Sequence, residues 1–157
     1  MKVLVVLGGG GHSAELLKLV DLLGPDYDYS YMISAIDPIS ESRIRRSGPV
    51  YRVPLLLDKH ARWRRLVLAI LPSLKQLIVL LRARPKAILS TGSNIAVPIS
   101  VFGRLAGVRI IHVETGSRVN TMSSTGRLMY RIAHLFFVQW ESLQRDYPKA
   151  IYAGRLL

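Results

Sequence analysis

The chain has 157 residues, with 22 Lys and Arg against 10 Asp and Glu and no cysteine. That length makes one domain with a proper core, and the lack of cysteine excludes disulfides and thiolate metal sites and fits an intracellular setting. A formal charge of +12 and a pI near 10.6 call for an acidic partner: nucleic acid, an anionic membrane or a phosphorylated substrate.

Met1-Lys2 leads without a secretory signal into the apolar β-branched run MKVLVVL, a strand. GGGGHSAE (8–15) follows, and then Leu16, Leu17, Leu19, Val20, Leu22 and Leu23 recur at helical spacing until Gly24-Pro25. The glycines therefore sit in a strand-to-helix turn. Gly9, Gly10 and Gly11 let a ligand touch the backbone amides, with Ser13 just beyond, and a helix start adds roughly half a positive charge. Such a turn favours phosphate or another anion, or is a tight turn with no ligand. No Gly-Lys-Ser/Thr makes it a P-loop, and His12 breaks the dinucleotide-binding fingerprint.

Residues 27–35 read as a half-buried strand, Asp37 as a turn residue, ESRIRRSG as a short helix and 50–55 as another strand. The segment 59–84 is a two-part helix interrupted around Pro72. No acidic residue occurs from Lys59 to Val113, and Lys and Arg bracket the apolar runs Leu66–Leu71 and Leu77–Leu81. The segment is too broken to span a bilayer. With Arg62, Trp63, Arg64 and Arg65 beside leucines, it suits an interfacial helix on anionic lipid, or else a pair of buried helices with basic ends. No reading helix, zinc motif or basic-aromatic alternation supports nucleic acid.

Residues 85–93 form a strand, a helix runs from near Pro98 to Gly107, and 108–115 is a strand. A helix over TGRLMYRIAH and a strand at 135–140 complete the alternation. That order predicts one doubly wound, mostly parallel α/β sheet of Rossmann type, with ligands at the carboxyl ends of its strands. The polar loops GGGGHS, STGSN, ETGSR and QWES fall there. Ser93 and Asn94 either bind phosphate or sugar or cap a helix. His112 reads as a core or supporting histidine, while His60 and His134 carry no signal. Glu114 either orients a substrate hydroxyl or Arg118, completes a base, or forms a structural ion pair with Arg118.

The blocks GGGGHSAE (8–15), STGSNIAVPIS (90–100), VETGSRVNTMSSTGRLMYRIAHLFFVQWESL (113–143) and YPKAIYAGRLL (147–157) span the chain. Through them it resembles the acceptor-binding half of MurG-type GT-B glycosyltransferases. The likeness is closer to stand-alone subunits that supply only that half. These are the membrane-recruiting subunit of the eukaryotic transferase adding the second N-acetylglucosamine to dolichol diphosphate, and its PssD-type exopolysaccharide relatives. The eukaryotic subunit carries an N-terminal membrane span, whereas this chain begins with the first strand, so attachment is expected from 59–84.

The resemblance implies a single acceptor-binding domain over 1–157, needing no cofactor or metal. Its partner would be a donor-binding subunit of the C-terminal GT-B type, the donor a UDP-sugar and the acceptor a polyprenyl-diphosphate sugar. The enzyme would be an inverting glycosyltransferase, active only as a heterodimer on the cytoplasmic face of the membrane. His12 would take the proton of the attacking hydroxyl, since imidazole accepts protons near neutrality. Glu114 is the other candidate catalytic group. Gly9, Gly10, Gly11, Ser13, Ser93, Asn94, Ser117 and Arg118 would hold the acceptor. The tail, where a two-domain enzyme crosses to its second half, is expected to stay exposed until Tyr152, Gly154, Leu156 and Leu157 meet the partner, or to fold back as a last strand. The alternative function is a non-catalytic membrane scaffold for the donor-binding subunit.

Overall fold

The computed structural model describes residues 1–54 and 62–156, and for 62–72 the backbone course only. Seven strands form one sheet: β1 (Lys2–Leu7), β2 (Asp28–Ser34), β3 (Val50–Val53), β4 (Ala87–Thr91), β5 (Arg109–Val113), β6 (Leu135–Val138) and β7 (Ile151–Tyr152). Their order is β3-β2-β1-β4-β5-β6-β7, and every pairing is parallel. Among the described residues five α-helices connect them: α1 (Gly10–Leu23), α2 (Arg62–Ala83), α3 (Ala96–Leu105), α4 (Ser124–Ile132) and α5 (Glu141–Asp146). The expected doubly wound parallel sheet is thus present.

Strand alternation sorts the core into two layers. Leu4, Val6, Ile88, Ile110 and Phe136 face Val79 and Leu80 of α2, Ile99 of α3 and Met129 of α4. Val3, Val5, Leu7, Leu89 and Val113 face Leu16, Leu17 and Val20 of α1. Because both faces are covered, β2 is buried from Tyr29 through Ser34 instead of half-buried as its alternation suggested. Its tyrosines keep their hydroxyls satisfied at the rim: Tyr29 donates to the Gly24 carbonyl at 3.0 Å and Tyr31 to that of Arg46 at 2.7 Å.

Two expectations need correction. The basic segment is one helix through Pro72, not two. Among the described residues no helix is long and apolar enough to cross a membrane. The side chains of Arg62, Trp63, Arg64 and Arg65, on which the membrane reading leaned, lie outside the described residues, as does Leu157. The tail does not wait for another surface to become ordered. Ile151 and Tyr152 pair with Phe137 and Val138, Gly154 turns the chain at φ 91°, and Leu156 packs on the α1-side core. Ladder hydrogen bonds and apolar burial supply that order within the domain itself.

Candidate functional site

The strand order reverses between β1 and β4, the position where parallel sheets open a crevice at their carboxyl ends. Both strands deliver polar loops there. After β1 the chain turns into α1 through Gly9, whose φ of 84° favours glycine, and the helix already begins at Gly10. Gly10 and Gly11 are therefore exposed first-turn residues with amides free of any side-chain cap, not part of a longer loop. Ser13, expected at the ligand, is buried instead, and its Oγ accepts the Gly9 N–H at 2.8 Å. It closes the turn from inside.

His12 is fixed from β4. Thr91 Oγ1 donates to the His12 carbonyl at 3.2 Å, and the imidazole lies across Gly92, where a Cβ would stand 3.0 Å from Cε1. Any side chain at 92 would push the ring away. Nδ1 is sealed from solvent without a hydrogen-bond partner, so Nε2 is the nitrogen left for a substrate. Below it, His112 is fully buried and shares a 2.9 Å hydrogen bond with Ser90 Oγ. Burial, helped by nearby His12, pushes its pKa down to about 3, so His112 stays neutral and acts as a packing histidine. Ser93 is buried beside Gly8, and Asn94 is exposed at the rim; neither side chain caps α3.

Glu114 directly follows β5 and has no exposed surface. Its Oε1 accepts the Thr115 N–H at 3.2 Å, and Oε2 accepts the Ser123 N–H at 3.2 Å and hydroxyl at 3.1 Å. Ser123 Oγ in turn accepts the Gly126 N–H at 2.8 Å, capping α4. Burial raises the Glu114 pKa, against the opposing pull of these donors and of Arg118. No ion pair with Arg118 forms; among the described residues ion pairs join Arg45 to Asp21 and Arg52 to Glu41. Ser117 and Arg118 are exposed on the following loop. Among the described residues no cluster of His, Asp and Glu could hold a metal ion.

Two residues organise the site beyond those the sequence singled out. Glu15 is buried one turn after His12, and its Oε1 accepts the Gly116 N–H at 2.9 Å and the Thr115 hydroxyl at 3.3 Å. It ties α1 to the loop after β5. Gln139 donates from Nε2 to the Glu114 carbonyl at 3.1 Å and accepts the Leu156 N–H at 2.9 Å, so the tail is wired to that loop. Glu15 was legible as the i+3 neighbour of His12 on one helix face; Gln139 carried no local signal. Asp37 is the turn residue expected, accepting the N–H groups of Ile39 and Ser40 at 3.1 Å.

A parallel Rossmann-like sheet with a glycine-started helix and a histidine at its switch point has the fold found in MurG and in UDP-GlcNAc 2-epimerases. Solved structures agree on the fold. MurG from Acinetobacter baumannii superposes with a TM-score of 0.72 at 14% identity, covering 98% of this chain and 43% of that one. The UDP-GlcNAc 2-epimerase from Neisseria meningitidis matches with a TM-score of 0.72 at 15% identity, covering 99% and 47%. The chain thus spans less than half the length of these structures. It belongs to the family of Alg14-like oligosaccharide biosynthesis proteins, whose model matches residues 3–156. The human UDP-N-acetylglucosamine transferase subunit ALG14 is 30% identical over 180 residues, covering all of this chain and 83% of that protein. The Schizosaccharomyces pombe subunit of the same name is 30% identical over 172 residues, covering 97% and 81%.

Proposed function

We propose that this chain is the acceptor-binding, membrane-docked subunit of a two-subunit, inverting, UDP-sugar-dependent glycosyltransferase that extends a polyprenyl-diphosphate-linked sugar. The observation that carries the reading is end-to-end similarity to proteins named as UDP-N-acetylglucosamine transferase subunits. Those names make UDP-N-acetylglucosamine the first donor to test. The acceptor diphosphate lies against the amides of Gly10 and Gly11 at the positive end of α1, with Asn94, Ser117 and Arg118 around it. The acceptor hydroxyl attacks the anomeric carbon, its proton passes to His12 Nε2, and the bond from that carbon to UDP breaks as UDP leaves. A donor-binding subunit holds the UDP-sugar, and the complex works on the cytoplasmic face of the membrane. Purified alone, the chain should release no UDP from UDP-N-acetylglucosamine with a polyprenyl-diphosphate sugar, and should turn over when co-expressed with a donor-binding subunit. Robust turnover by the single chain rejects the reading.

The donor-binding subunit docks at the tail. Between α1 and residues 153–156, over β4, β5 and β6, lies a cavity of about 370 Å³ lined by apolar groups including Leu19, Leu23, Ile111, Phe137 and Leu156. Tyr152 stands beside it on the edge strand, 41% exposed. Deleting Gly154–Leu157 should abolish co-purification while the far-ultraviolet circular dichroism of the chain is kept. Unchanged pairing, or unfolding, assigns the tail to its own domain only. A second reading, a non-catalytic scaffold, draws support from Glu114, whose oxygens are occupied by the Thr115 N–H and by Ser123, the cap of α4.

A further inference from the structure

Of the polar loops at the carboxyl edge, QWES (139–142) takes no part in the chemistry proposed above. Its side chains turn back onto the loop that follows β5. Gln139 Nε2 donates to the Glu114 carbonyl at 3.1 Å, Trp140 Nε1 to the Gly116 carbonyl at 2.7 Å, and Ser142 Oγ to the Val119 carbonyl. From the opposite side Glu15 accepts the Gly116 N–H. Glycine at 116 permits this approach, because a Cβ there would stand 3.1 Å from Glu15 Oε1 and 3.2 Å from Gln139 Oε1. The loop is held at three carbonyls, and Ser117 and Arg118 stand exposed between the second and the third. Water can satisfy carbonyls this close to the surface, so side-chain donors placed on them fix position more than they add stability.

The same pair of side chains carries the tail. The Arg155 guanidinium lies over the Trp140 ring, 4.4 Å from its centroid, and the Leu156 N–H donates to Gln139 Oε1 at 2.9 Å. The Gln139 amide is one plane, with Nε2 on the loop and Oε1 on the tail. The indole is rigid, so a shift of Arg155 against its face moves the N–H that holds Gly116. We infer that Gln139 and Trp140 are positioning residues that set the place of Ser117 and Arg118 from the position of the tail. A subunit seated on the tail thereby tightens the hold of the loop on the acceptor diphosphate. This rests on the docking site and the acceptor contacts proposed above. By linkage, bound acceptor strengthens subunit pairing by the same factor, about fivefold for a coupling of ordinary size.

The test uses the full chain, alone and saturated with the donor-binding subunit. Trp140→Phe keeps a ring under Arg155 but removes the indole N–H. Arg155→Ala removes the cation from the ring and leaves the loop itself unchanged. One hydrogen bond is worth about fivefold in a local equilibrium, so Trp140→Phe should speed amide hydrogen exchange at Gly116 and Ser117 by that factor. Arg155→Ala should speed it about threefold, the worth of an exposed cation–π contact. In the complex both variants should raise KM for farnesyl-diphosphate-linked N-acetylglucosamine about fivefold with kcat within about twofold, the signature of lost uniform binding. Arg155→Lys, which keeps a cation over the ring, should restore both readouts, as a merely structural loss would not. Arg155 is exposed, so its variants decide the matter even where Trp140→Phe disturbs folding. Exchange or KM within about twofold of wild type in folded Arg155→Ala overturns the inference, and a complex that still turns over leaves the proposed function standing. A wild-type complex without turnover rejects the proposed function, and this inference with it.

Discussion

Replacing His12 with alanine in the assembled enzyme should lower kcat by about 10²–10⁴-fold, the usual contribution of a positioned general base, with the complex intact. The geometry gives the ring one productive orientation. Gly92 supplies the floor, Thr91 fixes the backbone carbonyl, and Nδ1 is buried, so Nε2 is the nitrogen offered to the cleft. A companion variant tests the floor alone. Gly92→Ala places a methyl 3.0 Å from His12 Cε1, which shifts the ring by a few tenths of an ångström without removing it. Misplacement of about 1 Å costs on the order of 10²-fold, so Gly92→Ala should cost roughly tenfold in kcat. UDP release by the co-purified complex measures both. A loss below about threefold for His12→Ala would move the proton acceptor to the partner and favour the scaffold reading.

The glycine run, the β/α alternation and the carboxyl-edge loops were legible because each is local: turns need glycine, and covered parallel strands are short apolar runs. What escaped depends on distant partners. In β2, Tyr29 and Tyr31 alternate with Ser30 and look half-solvated, yet Ser30 is buried and donates to the Val3 carbonyl at 3.4 Å. The neighbouring strand, not the pattern, decides its burial. Strand β7 has two residues, too few for a period, and exists because Phe137 and Val138 offer it a ladder. The start of α4 was placed near Thr125, although Ser123 already carries the cap. That cap matters for the site, because Glu114 reaches it across nine residues of sequence. No spacing rule links a glutamate just past a strand to a serine so far along.

Glu114 therefore yields the other large effect, on stability. Alanine at 114 strips the acceptor from the Thr115 N–H and from the N–H and hydroxyl of Ser123, all inside the protein. A buried donor left unpaired costs about 1–3 kcal/mol, so Glu114→Ala should lose on the order of 3 kcal/mol and roughly 10 °C in Tm. Gly126→Ala should act through the same point, because a Cβ there collides with Glu114 Oε2 and displaces the carboxylate. The pH dependence has a definite sign. Burial raises the Glu114 pKa above its ordinary 4.5, so the folded chain holds that proton at pH values where the unfolded chain has released it. Its contribution is fully present below the unfolded value and is lost as pH rises through the raised folded value. Thermal melts of wild type and Glu114→Gln from about pH 4 to pH 7 isolate this slope, which should vanish in the variant. A capping role further requires kcat of the Glu114→Gln complex to stay within about threefold of wild type, whereas a drop of 10² or more in a folded complex would return Glu114 to the chemistry.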